Sequence, residues 1–153
     1  MKNTIFKQTE SKIKAYFESL IVKETIEYRL KILNRQKSDL EEQKEYGDAG
    51  LFSEEGNALN ENRIKRLKDL AAEIFTLTSN LNLIEKEYAD TEYLLGTLPE
   101  RERKIIYGRY RDKKTYLKIG YEIFLSESRV QQIVAEVFNS FNGKMELIEQ
   151  KLN

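Results

Sequence analysis

From Leu67 to Leu95 the side chains Leu67, Leu70, Ile74, Leu77, Leu81, Ile84, Tyr88, Thr91 and Leu95 follow one another in unbroken steps of three and four. A strand cannot present that stripe, because its side chains alternate with a period of two. The spacing predicts a coiled-coil seam over about four heptads. A helix from Asn60 to Leu95 would be on the order of 50 Å long at 1.5 Å per residue. So long a rod cannot bury its own stripe. It needs either the helix of residues 4–45, folded back through a turn, or a second copy of the chain, and one dimer can satisfy both.

The preceding residues fit such a partner. The first 45 contain no glycine, and Pro99 is the single proline of the chain. Ile5, Phe6, Ile13, Phe17, Leu20 and Ile21 recur at helical spacing, followed by Ile26, Leu30, Leu33 and Leu40 with Lys37 interrupting. The segment GDAGLFSEEGNALNEN (47–62) gathers three glycines with Asn, Asp and Ser and reads as a loop. After Gly96 and Thr97, Pro99 suits the first turn of a new helix, with Glu100 and Glu102 at its positive end. Ile105, Ile106 and Tyr110 give that helix an apolar face. The expected fold is all-α. A coiled-coil hairpin or dimerisation rod spans 1–96, a compact domain spans 97–143, and a short docking helix spans 144–153 through Met145, Ile148 and Leu152.

Composition removes several functions. With no histidine and no cysteine, the chain lacks the commonest general base, the usual zinc ligands and any disulfide. No Gly-rich phosphate loop or paired-carboxylate pocket pattern is present, so neither an enzyme nor a cofactor is expected. The N-terminus MKNTIFKQTE has no apolar signal core, and no run approaches the ~20 apolar residues of a membrane span. A cytoplasmic protein is expected. Lys plus Arg and Asp plus Glu both number 26, yet residues 101–118 hold eight basic side chains against two acidic ones. A local excess of that kind attracts phosphate even on a neutral protein.

The stretch TYLKIGYEIFLSESRVQQI (115–133) follows this basic segment. Thr115 and Ser126 stand where hydroxyl caps would start two short helices. Ile119, Ile123, Leu125, Val130 and Ile133 supply an inner face, and the small Gly120 permits a close crossing. The pattern is a helix-turn-helix whose second helix starts at Ser126. Ile133, Val137, Phe138 and Phe141 continue its inward stripe.

With these residues in place, 98–141 resembles the fourth region of bacterial sigma factors, the module that reads the −35 promoter element. Leu98-Pro99, Glu102-Arg103, Arg109-Tyr110, Thr115, Ile119-Gly120, Ser126, Arg129-Val130, Gln132-Ile133 and Ala135 carry the likeness. A helical N-terminal half ahead of such a module is similar to phage late transcription regulators of the ArpU/RinA type. Three positions depart from the sigma pattern. Glu127 and Ser128 replace the common Arg-Glu pair at the start of the reading helix. A carboxylate there repels phosphate and cannot grip guanine O6 and N7, so the usual −35 sequence is not the expected target. Phe124 replaces the usual turn glycine, which predicts a turn of different geometry, since a left-handed backbone is costly for an aromatic residue.

The resemblance implies double-stranded DNA as partner, RNA polymerase as a further one, and a role at late promoters in a bacterial host. Ser126, Glu127, Ser128, Gln131 and Gln132 occupy the exposed start of the second helix, the part that enters the major groove. Gln131 and Gln132 can each bond adenine through N6 and N7, and Glu127 can accept from cytosine N4. Arg129, Ser126 and Ser128 reach phosphate or base edges, while Thr115, Lys113, Lys114 and Lys118, with Arg111, lie by the helix that crosses the backbone. A single basic residue within 126–141 predicts weak binding by one domain alone. A homodimer through the N-terminal helices, binding an inverted or direct repeat, compensates by raising the effective concentration of the second domain. The alternative is an adaptor that docks on RNA polymerase and reads no DNA.

Overall fold

The computed structural model describes residues 2–46 and 54–152. It is all-α: α1 (Lys2–Tyr46), α2 (Glu54–Gly96), α3 (Glu100–Ile106) running into a π-helical turn (Tyr107–Arg111), α4 (Tyr116–Ile123) and α5 (Glu127–Leu152). Long N-terminal helices thus precede a C-terminal helix-turn-helix, as the periodicity predicts.

Two expected boundaries move. The loop expected over 47–62 is shorter, because α2 already begins at Glu54; residues 47–53 lie outside the described residues. Within α2 the Asn60 carboxamide accepts a hydrogen bond from Arg63 one turn on. The short helix expected over 144–153 is not separate either. Asn142 and Gly143 lie inside α5, which continues to Leu152, and Met145 and Ile148 pack half-buried against the core.

The chain divides into two compact units, Met1–Leu20 with Glu87–Asn153, and Ile21–Lys86. The first is larger than the 97–143 domain expected from the sequence, because helix ends from far upstream complete its core. Ile13, Tyr16 and Phe17 of α1 and Leu94 and Leu95 of α2 join Ile105, Ile106, Ile119, Val130, Ile133 and Phe138 in one buried cluster. Phe6 stacks on Phe138 with ring centroids 4.8 Å apart, and Phe17 meets Tyr107 edge-on at 5.1 Å. The Tyr110 hydroxyl donates to Glu10 Oε2 at 2.7 Å. Burial, reinforced by hydrogen bonds with Tyr116 and Glu10, raises the Tyr110 phenol far above the usual tyrosine range. It stays a neutral donor.

The second unit is a pair of antiparallel arms. Lys23 pairs with Glu85 at 3.2 Å, Arg29 with Glu73 at 3.1 Å, and Arg66 Nη2 donates to Gln36 at 3.5 Å. Partners descend along α2 as they ascend along α1. Exposed pairs of this kind contribute about 0–1 kcal/mol each, so they mark register more than stability. Leu33 and Leu70 are fully buried and Ile26 nearly so. The stripe Leu67, Leu70, Ile74, Leu77, Leu81 and Ile84 is buried or half-buried throughout. The arm of the same chain is therefore the partner that this part of the stripe needs.

Candidate nucleic-acid interface

The helix-turn-helix is built by local chemistry that the sequence announces. Thr115 has an extended backbone, and its Oγ1 accepts from the Lys118 N–H at 3.1 Å, capping α4. Ser126 Oγ accepts from the Arg129 N–H at 3.1 Å and caps α5. Each cap contributes about 1 kcal/mol. Between the helices the Leu125 N–H donates to the Gly120 carbonyl at 2.9 Å. A Cβ on Gly120 would stand 2.4 Å from the Leu125 carbonyl oxygen, closer than any such contact allows. Only glycine lets the chain reverse so tightly.

The turn itself corrects an expectation. Phe124 does adopt the left-handed conformation, φ 62° and ψ 39°, so the turn has the geometry that a glycine would give it. The cost to an aromatic residue is about 1 kcal/mol or more. It is offset by the backbone bonds to Gly120 and by Leu125, which the turn delivers half-buried against the core. The Phe124 ring gains nothing in return, being 94% exposed.

Beyond the turn, Ser126, Glu127, Ser128, Gln131 and Gln132 are all exposed at the start of α5, while Val130, Ile133 and Val134 are buried on its other side. The helix therefore rests on the core and shows its polar face outward. The structure separates the two glutamines. Gln132 Oε1 accepts from Arg129 Nη1 at 3.0 Å, and the same guanidinium lies 3.6 Å from Glu136. While held, the Gln132 carboxamide is oriented by Arg129, with one of its oxygen's two lone pairs engaged. Bidentate bonding to adenine needs that oxygen and the amide turned to the base together. No such tie holds Gln131 among the described residues. Half-buried Arg129 is likewise committed along its own helix. Glu127 stands in the first turn of α5, where the helix dipole favours a carboxylate and that carboxylate competes with phosphate.

The basic segment is more neutralised than its sequence suggests. Lys114 Nζ lies 3.0 Å from Glu122, Arg111 pairs with Asp112 at 3.0 Å, Lys104 with Glu100 at 3.3 Å and Arg101 with Glu102 at 2.7 Å. The hydrogen bond from Arg111 holds the Asp112 carboxyl below the ordinary range. Arg109 stacks over the Tyr116 ring at 4.2 Å and donates to the Lys114 carbonyl. Exposed Lys113, itself at φ 56°, and exposed Lys118 take part in no ion pair among the described residues. Those two are the available phosphate ligands beside α4. Lys114 is not, in this arrangement.

Two features escape sequence reasoning. The π-helical turn at 107–111 closes with Asp112 N–H to Tyr107 carbonyl at 3.0 Å and Lys114 N–H to Gly108 carbonyl at 2.9 Å. It sets the direction of the connection into Thr115. The second is an outer apolar face: Leu117 is 59% exposed, Tyr121 86% and Phe124 94%. Their spacing of four and then three was the available signal. Among the described residues no acidic cluster could hold a metal ion, and no helix is long and apolar enough to cross a membrane.

Nothing among curated proteins or solved structures matches the chain significantly. A family model does match part of it. Residues 94–140, beginning in the last turn of α2, match sigma-70, region 4, so the C-terminal part of the chain carries a helix-turn-helix of that DNA-binding kind.

Proposed function

We propose that the protein is a sequence-specific transcription regulator of phage or prophage late genes, a homodimer acting at promoters with RNA polymerase in a bacterial cytoplasm. No catalytic step enters this reading. The carrying observation is the exposed, capped start of α5, with Glu127, Ser128, Gln131 and Gln132 outward, inside a segment matching sigma-70, region 4. Gln131 is the principal base reader. Gln132 joins it when the groove offers Arg129 a phosphate in exchange. Ser126, Ser128, Thr115, Lys113 and Lys118 fix the domain on the backbone.

Fluorescence anisotropy of the full chain with duplexes from its own and neighbouring operons, at low and high salt, tests this. Selective binding that weakens steeply with salt is expected, because phosphate contacts release counterions. Replacing Gln131 and Gln132 by Ala should weaken the preferred site about tenfold or more, the equivalent of one lost bidentate pair of about 1–3 kcal/mol. A second reading, a polymerase adaptor that reads no DNA, is favoured by the exposed Leu117, Tyr121 and Phe124 and by the internal pairing of the basic segment. No binding to any duplex without polymerase would select it.

A further inference from the structure

The first turns of α1 belong to the same compact unit as the helix-turn-helix, and their two sides differ sharply. Inward, Thr9, Ile13, Tyr16 and Phe17 are buried. Outward, Thr4, Lys7, Gln8, Ser11 and Lys12 are all exposed. Steps of three and four put these five on one face, and they line a groove of about 660 Å³. No carboxylate stands among them. Glu10 is turned aside, accepting from Tyr110 and lying 3.6 Å from Lys14, and Glu18 comes only six residues beyond Lys12. Lys7 and Lys12 take part in no ion pair among the described residues. Lysines interleaved with hydroxyls and an amide are the donors that hold DNA phosphates.

Place matters as much as charge. Phe138 lies seven residues beyond Gln131, two helical turns, so the two share one side of α5 about 10 Å apart. Gln131 is exposed there, whereas Phe138 is fully buried where Phe6 of α1 packs over it, ring centroids 4.8 Å apart. α1 therefore stands against α5 just past the residues that enter the groove. The major groove is about 12 Å wide. A helix that enters it by its first turns crosses the sugar-phosphate rim within that distance, and an element packed there meets the phosphates.

We propose that the Lys7–Lys12 face of α1 is a second contact with the DNA backbone, holding phosphates beside the groove that α5 reads. Lys7 and Lys12 supply charge, and Thr4, Gln8 and Ser11 donate hydrogen bonds to phosphate oxygens. These cations add to α5, which has Arg129 as its single basic residue within 126–141, and to a basic segment largely paired with its own carboxylates. The inference rests on the DNA-binding reading and deepens it, with a surface outside the segment that matches sigma-70, region 4.

Anisotropy of the full chain with duplex DNA over a range of salt concentrations tests this. Lys7→Gln with Lys12→Gln should make the slope of log K against log salt shallower by about 1.8, since each phosphate contact releases about 0.9 counterion. Preferred and unrelated duplexes should weaken by the same factor, because phosphates carry no sequence. Arginine at both positions should restore the slope. Lys144→Gln with Lys151→Gln removes the same charge from exposed positions about 20 and 30 Å farther along α5 than Gln131, and should leave the slope as it was. All four side chains are exposed, and circular dichroism checks that the helices persist. An unchanged slope without Lys7 and Lys12, or an equal fall without Lys144 and Lys151, overturns the proposal. Selective, salt-sensitive binding that ignores Lys7 and Lys12 overturns this contact alone. No binding to any duplex at any salt overturns it together with the DNA reading.

Discussion

The two units bury apolar surface in different ways. In the unit holding the helix-turn-helix, every helix contributes to one enclosed cluster around Phe138. In the hairpin, Ile26, Leu33 and Leu70 are the apolar side chains brought to near-complete burial among the described residues, while Ile21, Tyr28, Phe75 and Leu83 stand exposed. A layer two helices thick covers one stripe of each helix and leaves the rest to solvent or a partner. The lesson is a division of labour. One unit encloses a cluster fed by every one of its helices beneath an exposed α4–α5 face; the other buries a single stripe between two helices.

The largest test of that contrast removes a core side chain from each unit. Phe138→Ala should destabilise the chain by about 3–5 kcal/mol, and Leu70→Ala by nearer 2 kcal/mol, because a thin layer collapses more easily around the gap. Urea denaturation followed by circular dichroism measures both, and equal losses would erase the contrast. Gly120→Ala comes next. Its methyl group must displace the Leu125 carbonyl, at about 1–3 kcal/mol, and DNA binding should fall with it. In the opposite direction, Phe124→Gly should stabilise by about 1 kcal/mol by relieving the left-handed backbone. That raises Tm by about 2–4 °C in a chain of this size. A lower Tm would mean that the Phe124 ring is held by something the fold does not show. The smallest effect belongs to Glu127→Gln. It should lose about 0.3–1 kcal/mol of helix-terminus stabilisation yet bind duplex DNA more tightly at low salt, with denaturation and anisotropy run on the same sample.

Much of the fold was legible because its signals are local. The hydroxyls of Thr115 and Ser126, the small Gly120 and the stripe from Val130 to Phe141 state the two helices and their crossing without reference to distant residues. The start of α1 was not legible as part of that core. Ile13 and Phe17 have the same helical spacing as residues that merely pair with α2, and only long-range packing sends them to Tyr107 and its neighbours. The π-helical turn hides for a related reason, since Ile105, Ile106 and Tyr110 fit an ordinary helical period. Phe124 misleads because a steric preference worth about 1 kcal/mol yields to a turn that many contacts demand. At the site, the exposed positions on α5 follow from the motif. The engagement of Gln132 with Arg129, and of Lys114 with Glu122, depends on side-chain partners that a charge tally does not assign.

Selection of binding sites from random duplexes by the full chain tests the central claim most directly. Enrichment of a repeated element, inverted or direct, is expected. With Gln131→Ala, base preference should relax at one position in each half-site while the salt dependence of binding stays unchanged. No enriched sequence, or the same motif recovered with Gln131→Ala, would contradict reading by the start of α5.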